Sequence, residues 1–197
     1  MLGEKGTEYC SLFYQEHPIY LSFLQICMEF FCEAMKAGIP LRGCISTGMA
    51  TLDKHQSIYI GRPLVEAARG ESAQNAIGVA FGQSFNNYHP VYNRYFIPYP
   101  GNLKENDGKT KYLSPMMLDW PRFWRGHYGA KEPASADCIK KMNTNLAFSK
   151  YYDNALKFVD FSEQHENWSE EINREGVTDI IDYYSQVEAW YQSTLKR

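Results

Sequence analysis

The chain has 197 residues, a formal net charge of −3, 44% hydrophobic residues and 22% charged ones. That length supports one domain with a real core, or one domain with a helical appendage, and is short for two. The balance is that of a globular protein and argues against nucleic acid or a membrane surface as a partner.

Residues 1–18 are polar and irregular, with Gly3, Gly6 and Pro18 as breakers. From Ile19 to Lys36, Leu21, Leu24, Met28, Phe31 and Met35 recur at helical spacing, which predicts a helix that Gly38 and Pro40 stop. Gln25, Glu29 and Glu33 interrupt this segment, so it reads as a buried helix rather than a membrane span. Its Met and Phe stripe is core, or a dimer face if the outer side is also apolar. Small and β-branched residues from Leu41 to Leu52 (LRGCISTGMATL) predict a strand, LDKHQS its turn, and Ile58 to Ile60 the returning strand of an antiparallel hairpin over 41–60. Pro63 suits the first turn of a helix from Leu64 to about Ala76, and IGVAFG follows as a strand.

Beyond Gly82 the chain is aromatic and loop-rich. Phe96 to Pro98 and Tyr112 to Leu113 are expected to pair as short strands around GNLKENDGKT, and the Trp-rich MLDWPRFWRGHYG closes the region. From Asp137 onward Ile139, Met142, Leu146, Tyr151, Leu156 and Phe158 share a broad helical face, and Asp179 to Leu195 supplies a last helix. The expected organisation is an irregular segment at 1–18, a core at 19–130 and a helical extension at 131–197.

Few residues suggest chemistry by themselves. Cys10, Cys27, Cys32, Cys44 and Cys138 are odd in number, lack CxxC spacing and lie mostly in apolar runs, which fits reduced thiols of a cytoplasmic protein without disulfides. His17, His55, His89, His127 and His165 are dispersed with no paired spacing for a metal. Trp120, Trp124 and the tyrosines between 88 and 99 read as packing. Gly48 and Gly61 suit a bulge and a tight turn. Arg42 reads as a structural ion pair in preference to a phosphate contact. In IYIGRPLVEAARGE, Arg69 sits two turns into a helix beside Glu66 and Glu71. The plain reading of that pattern is a solvated ionic face.

A sharper reading comes from a resemblance. GIPLRGCISTGMATLD followed by SIYIGRPLVEAARGE resembles the second half of the class III nucleotidyl (adenylate and guanylate) cyclase homology domain, whose pattern is GI-x-x-R-x-x-I-x-x-G, a hairpin, then I-G-x-x-V-x-x-A-x-R-x-E opening a helix. RGCIS-x-G, IYIGRPLVEA, ESAQNAIGV and YLSPMMLDWP are most similar to the bacterial pyrimidine (uridylate and cytidylate) cyclases of antiphage defence. The likeness covers residues 20 to 125 directly and KYYDNALKF more loosely. It implies an α+β fold: a partial ferredoxin-like, cyclase-type antiparallel sheet with helices on one face, plus C-terminal helices.

The implied activity is conversion of a nucleoside triphosphate, UTP or CTP, to a 3′,5′-cyclic nucleotide and pyrophosphate. Arg69 matches the arginine that stabilises charge on the triphosphate as the ribose 3′ oxygen attacks the α-phosphorus, a use suited to a fixed guanidinium. The substrate-side positions are Ile58, Gly61 and Val65. Val65 replaces the asparagine that binds the ribose, and Ile58, three residues before Gly61, replaces the base-selecting residue. The family's two Mg or Mn ions sit on aspartates ahead of the long helix. Only Glu4, Glu8 and Glu16 offer acids there, in no matching strand, so the metal ligands are expected outside this chain.

The same upstream segment supplies central strands in the family, which leaves the 41–52 strand with an unpaired edge here. Family cyclases are head-to-tail dimers with sites between chains. The implied assembly is therefore a homodimer, or a heterodimer in which this chain donates the arginine to a metal-competent partner. The alternative is a noncatalytic module for dimerisation or nucleotide sensing.

Overall fold

In the computed structural model, residues 18–53, 55–87, 95–102, 104, 113–129 and 132–168 are described, together with 185–186, 189–190 and 192–194. The segment 1–17 and most of the helix expected over 179–195 lie outside the described residues.

Helix α1 (Pro18–Lys36) buries Leu24, Met28, Phe31 and Met35 of the predicted stripe, with Leu21 partly buried and Cys32 buried beside them. Strand β1 (Arg42–Ile45) follows after a short link. The expected strand over 41–52 is in fact two. The chain leaves the sheet after Ile45 and passes Gly48 at φ +139, a backbone conformation that side chains disfavour. It re-forms as β2 (Ala50–Asp53), which pairs antiparallel with β3 (Ile58–Gly61) from Ala50↔Gly61 to Asp53↔Ile58. The hairpin therefore spans 50–61 and forms a separate two-stranded sheet. Asp53 closes its turn by accepting the backbone N–H groups of His55 and Gln56.

Helix α2 (Arg62–Ala73) then crosses over to β4 (Gly78–Gly82), which runs parallel to β1 with Arg42↔Gly78 and Ile45↔Phe81 in register. A parallel pair is what a helical crossover permits, and it makes the sheet mixed where an antiparallel one was expected. β5 (Phe96–Pro98) and β6 (Leu113–Leu118) complete it in the order β1-β4-β6-β5, both neighbours of β6 being antiparallel to it. Helices α3 (Trp120–His127), α4 (Ser135–Met142) and α5 (Ser149–Gln164) follow. The protein is α+β.

The expectation of helices on one face also needs correction. Adjacent residues of a strand point to opposite faces. On one side Cys44 lies against Gly70, and Gly82 lies against the Glu66 side chain, so α2 covers that face. On the other, Ile45 and Phe81 belong to the large core shared with α1, α3, α4 and α5. Trp120 and Trp124 are fully buried there, which is the packing role read from sequence. The C-terminal helices share this core through Ile139, Tyr152, Phe158 and Trp168, so the described part of 131–168 is not a separate layer. Among the described residues no strand pairs with the outer edge of β1.

Candidate functional site

Gly61 ends β3 and opens α2, and its position explains its identity. A Cβ there would sit 2.8 Å from both the Ala50 Cα and the Met49 carbonyl oxygen, backbone atoms of the facing strand. With Pro63 in the first turn, the chain is delivered directly into the helix. Pro63, Gly70 and Ala73 turn inward, which leaves Arg62, Val65, Glu66 and Arg69, at i, i+3, i+4 and i+7, on a common stripe.

That stripe forms one wall of an open cavity of about 750 Å³, whose lining is completed by Ile60, Gly61, Gln83 and Ser84. Gln83 and Ser84 come from the short 3-10 turn after β4. Ser84 is fixed from both sides: its backbone N–H donates to Glu66 Oε1 at 2.8 Å, its hydroxyl accepts the Thr47 N–H at 2.9 Å, and its carbonyl accepts the Thr47 hydroxyl at 3.1 Å. The Ser46 hydroxyl donates to the Pro63 carbonyl at 2.5 Å. The end of β1, the start of α2 and the turn after β4 are thus tied together beneath the cavity. Its wall carries two guanidinium groups and one carboxylate, beside a helix N-terminus whose dipole adds positive potential. The lining thus carries one more positive than negative side chain.

Three of the four residues expected at the site, Gly61, Val65 and Arg69, line this cavity. Ile58 does not: it lies at the hairpin end of β3, partly exposed, while Ile60 takes the place on the cavity rim. Val65 is half exposed and presents only an apolar surface. Arg42 is elsewhere. Its guanidinium makes a 2.6 Å ion pair with Glu71, donates to the Gln74 carbonyl and stacks over Tyr151, which is the structural role expected of it. Arg62, Gln83 and Ser84 were not anticipated. Arg62 was detectable as the residue two helical turns before Arg69, whereas Gln83 and Ser84 arrive only through the pairing of β4 with β1.

The described residues of this cavity do not suit a divalent cation. Among the described residues no group of three or more His, Cys, Asp or Glu could hold a metal ion. Glu66, the carboxylate in the cavity lining, is already engaged by Ser84. Burial pushes the Cys27 thiol up to about 11 and those of Cys32 and Cys44 up to about 12, and it raises Cys138 as well, so these four stay protonated near neutral pH. Among the described residues no helix is long and apolar enough to cross a membrane. No protein-family model matches the chain, and no curated protein or solved structure is significantly similar to it.

Proposed function

We propose that this chain forms the arginine-bearing side of a nucleotide cyclase site, at which a nucleoside triphosphate is converted to a 3′,5′-cyclic nucleotide and pyrophosphate. The observation that carries this reading is the placement of Arg69, the residue of the cyclase-like motif, beside Arg62 and the start of α2 in one open cavity of nucleotide size. In this reading Arg62 and the helix N-terminus hold the triphosphate. Arg69 stabilises the charge that develops on it as the ribose oxygen attacks, the differential stabilisation that lowers a phosphoryl-transfer barrier.

Val65 provides no hydrogen bond for a ribose, and Ile58 lies away from the cavity, so sugar and base contacts are assigned to a partner chain. The carboxylates for Mg or Mn are assigned there too, in a homodimer or heterodimer. One observation favours the noncatalytic alternative for the isolated chain: the lack of a carboxylate set among the described residues. Binding without turnover is the behaviour expected of it alone.

The test is calorimetric titration with UTP, CTP, ATP and GTP in the presence of EDTA, beside Arg69→Ala and Arg62→Ala. Saturable binding of a triphosphate, weakened about tenfold in each variant with unchanged melting temperature, is expected, since each removes one charge-assisted phosphate contact. Failure of all four nucleotides to bind, or equal binding by Arg69→Ala, would remove the proposed role.

A further inference from the structure

Gly82 is where β4 stops being a regular strand. Its pairing with β6 shifts register between Ala80 and Gly82, an irregularity of the kind that re-aims a chain, and the 3-10 turn Gln83–Asn87 starts at the next residue. Gly82 is buried against the Glu66 side chain: a Cβ there would overlap Glu66 Oε1 and lie 2.9 Å from its Cδ. The missing side chain makes a seat for a carboxylate that comes from another element.

The seated carboxylate supplies what the turn lacks. The first amides of a helical turn have no acceptor within it, and the Ser84 N–H finds one in Glu66 Oε1 at 2.8 Å. Glu66 stands one helical turn from both Arg62 and Arg69, where a carboxylate ordinarily serves as an ion-pair partner along its own helix. Here Oε1 bonds across to the turn that brings Gln83 into the cavity lining. We propose that Glu66 is a positioning residue of the arginine cavity: it holds Gln83 against the polyphosphate, on the side facing Arg62 and Arg69, while its charge restrains the pull of the two arginines on the anion. The inference rests on the triphosphate reading above. It gives Glu66 two separable effects of opposite sign, because the tether favours binding and the charge opposes it.

Substitutions at Glu66 separate the two effects. Without ligand, amide hydrogen exchange at Ser84 should be about tenfold faster in Glu66→Ala than in the parent, since one hydrogen bond is lost. Glu66→Gln should exchange near the parent's rate, because its carbonyl still accepts the N–H. Calorimetric titration with UTP in EDTA should show binding weakened about tenfold in Glu66→Ala, where the tether is lost. In Glu66→Gln it should be about threefold tighter than in the parent, because a negative charge beside the arginines is gone. Gly82→Ala, which pushes the carboxylate off its seat, should reproduce Glu66→Ala and add nothing to it in the double variant. Gln83→Ala should weaken UTP binding in the parent but not in Glu66→Ala. Unchanged Ser84 exchange in Glu66→Ala, or equal UTP affinity in Glu66→Ala and Glu66→Gln, overturns the positioning role, and the Arg69 assignment survives that result if Arg69→Ala still weakens binding. A parent that binds no UTP overturns both.

Discussion

Asp119 is a fully buried carboxylate at the start of α3, and its environment is only half satisfied. Oδ1 accepts the Ser162 hydroxyl at 2.5 Å and the Arg122 N–H at 3.3 Å, while Oδ2 has no hydrogen-bond partner. Burial therefore outweighs these bonds and the nearby Arg125 and Arg122 charges, and raises the group from 3.8 to about 6. Between about pH 4 and 6 the folded protein holds a proton that the unfolded chain has released, so this contribution to stability falls as pH rises through that window. Two units correspond to at most about 3 kcal/mol. Asp119→Asn keeps an acceptor for both donors and removes the titration. Urea unfolding of both proteins from pH 4 to pH 7 should show the variant gaining on the parent as pH rises; a pH-independent difference would mean that Asp119 titrates like an exposed carboxylate. The two arginines singled out from sequence show what one residue's neighbours can hide. Arg42 and Arg69 both belong to the cyclase-like pattern, but only the fold reveals that Glu71 and Tyr151 hold the first and that the second borders a cavity.

Elements with their own periodicity were legible. The apolar spacing of α1 and the run of β4 depend on local residues, and their positions agree with expectation within a few residues. The segment 41–52 was not legible as two strands, because its β-favouring composition continues across the break. What divides it is tertiary: β1 is held by parallel pairing with β4, while β2 is held by β3. Gly61 couples the hairpin to the arginine cavity, since it packs on the β2 backbone and also starts α2. Gly61→Ala places a methyl group against backbone atoms that cannot rotate away, so it should cost about 1–3 kcal/mol, the usual range for overpacking. Denaturant unfolding measures the loss, and hydrogen exchange localises it to residues 50–61. An unchanged midpoint would show that the two strands separate freely and that the hairpin does not position α2.

At the scale of the whole molecule, the α+β class was what the cyclase resemblance implied, but the unity of the core was not legible. A helical face such as Ile139 to Phe158 announces that it must be covered without saying by what. Here the sheet layer and the C-terminal helices cover each other. Tyr99 packs on Phe158 and Phe161, Phe96 on Trp168, and Trp120 on Phe158. Polar contacts tie the same elements together: Asn154 Nδ2 donates to the Asn75 carbonyl at 2.8 Å, and the Ile77 N–H donates to the Tyr151 carbonyl. A chain ending at residue 130 would lose the buried Ile139, Tyr152, Phe158 and Trp168. At roughly 1.5–3 kcal/mol for each large apolar side chain, those four alone approach the 5–15 kcal/mol that separates a typical folded domain from its unfolded state. The truncated chain should therefore lack near-ultraviolet circular dichroism and a cooperative thermal transition, whereas the full chain shows both. Cooperative unfolding of the 1–130 chain would mean that the sheet and α1 to α3 close a core by themselves, with the later helices docked on a finished domain.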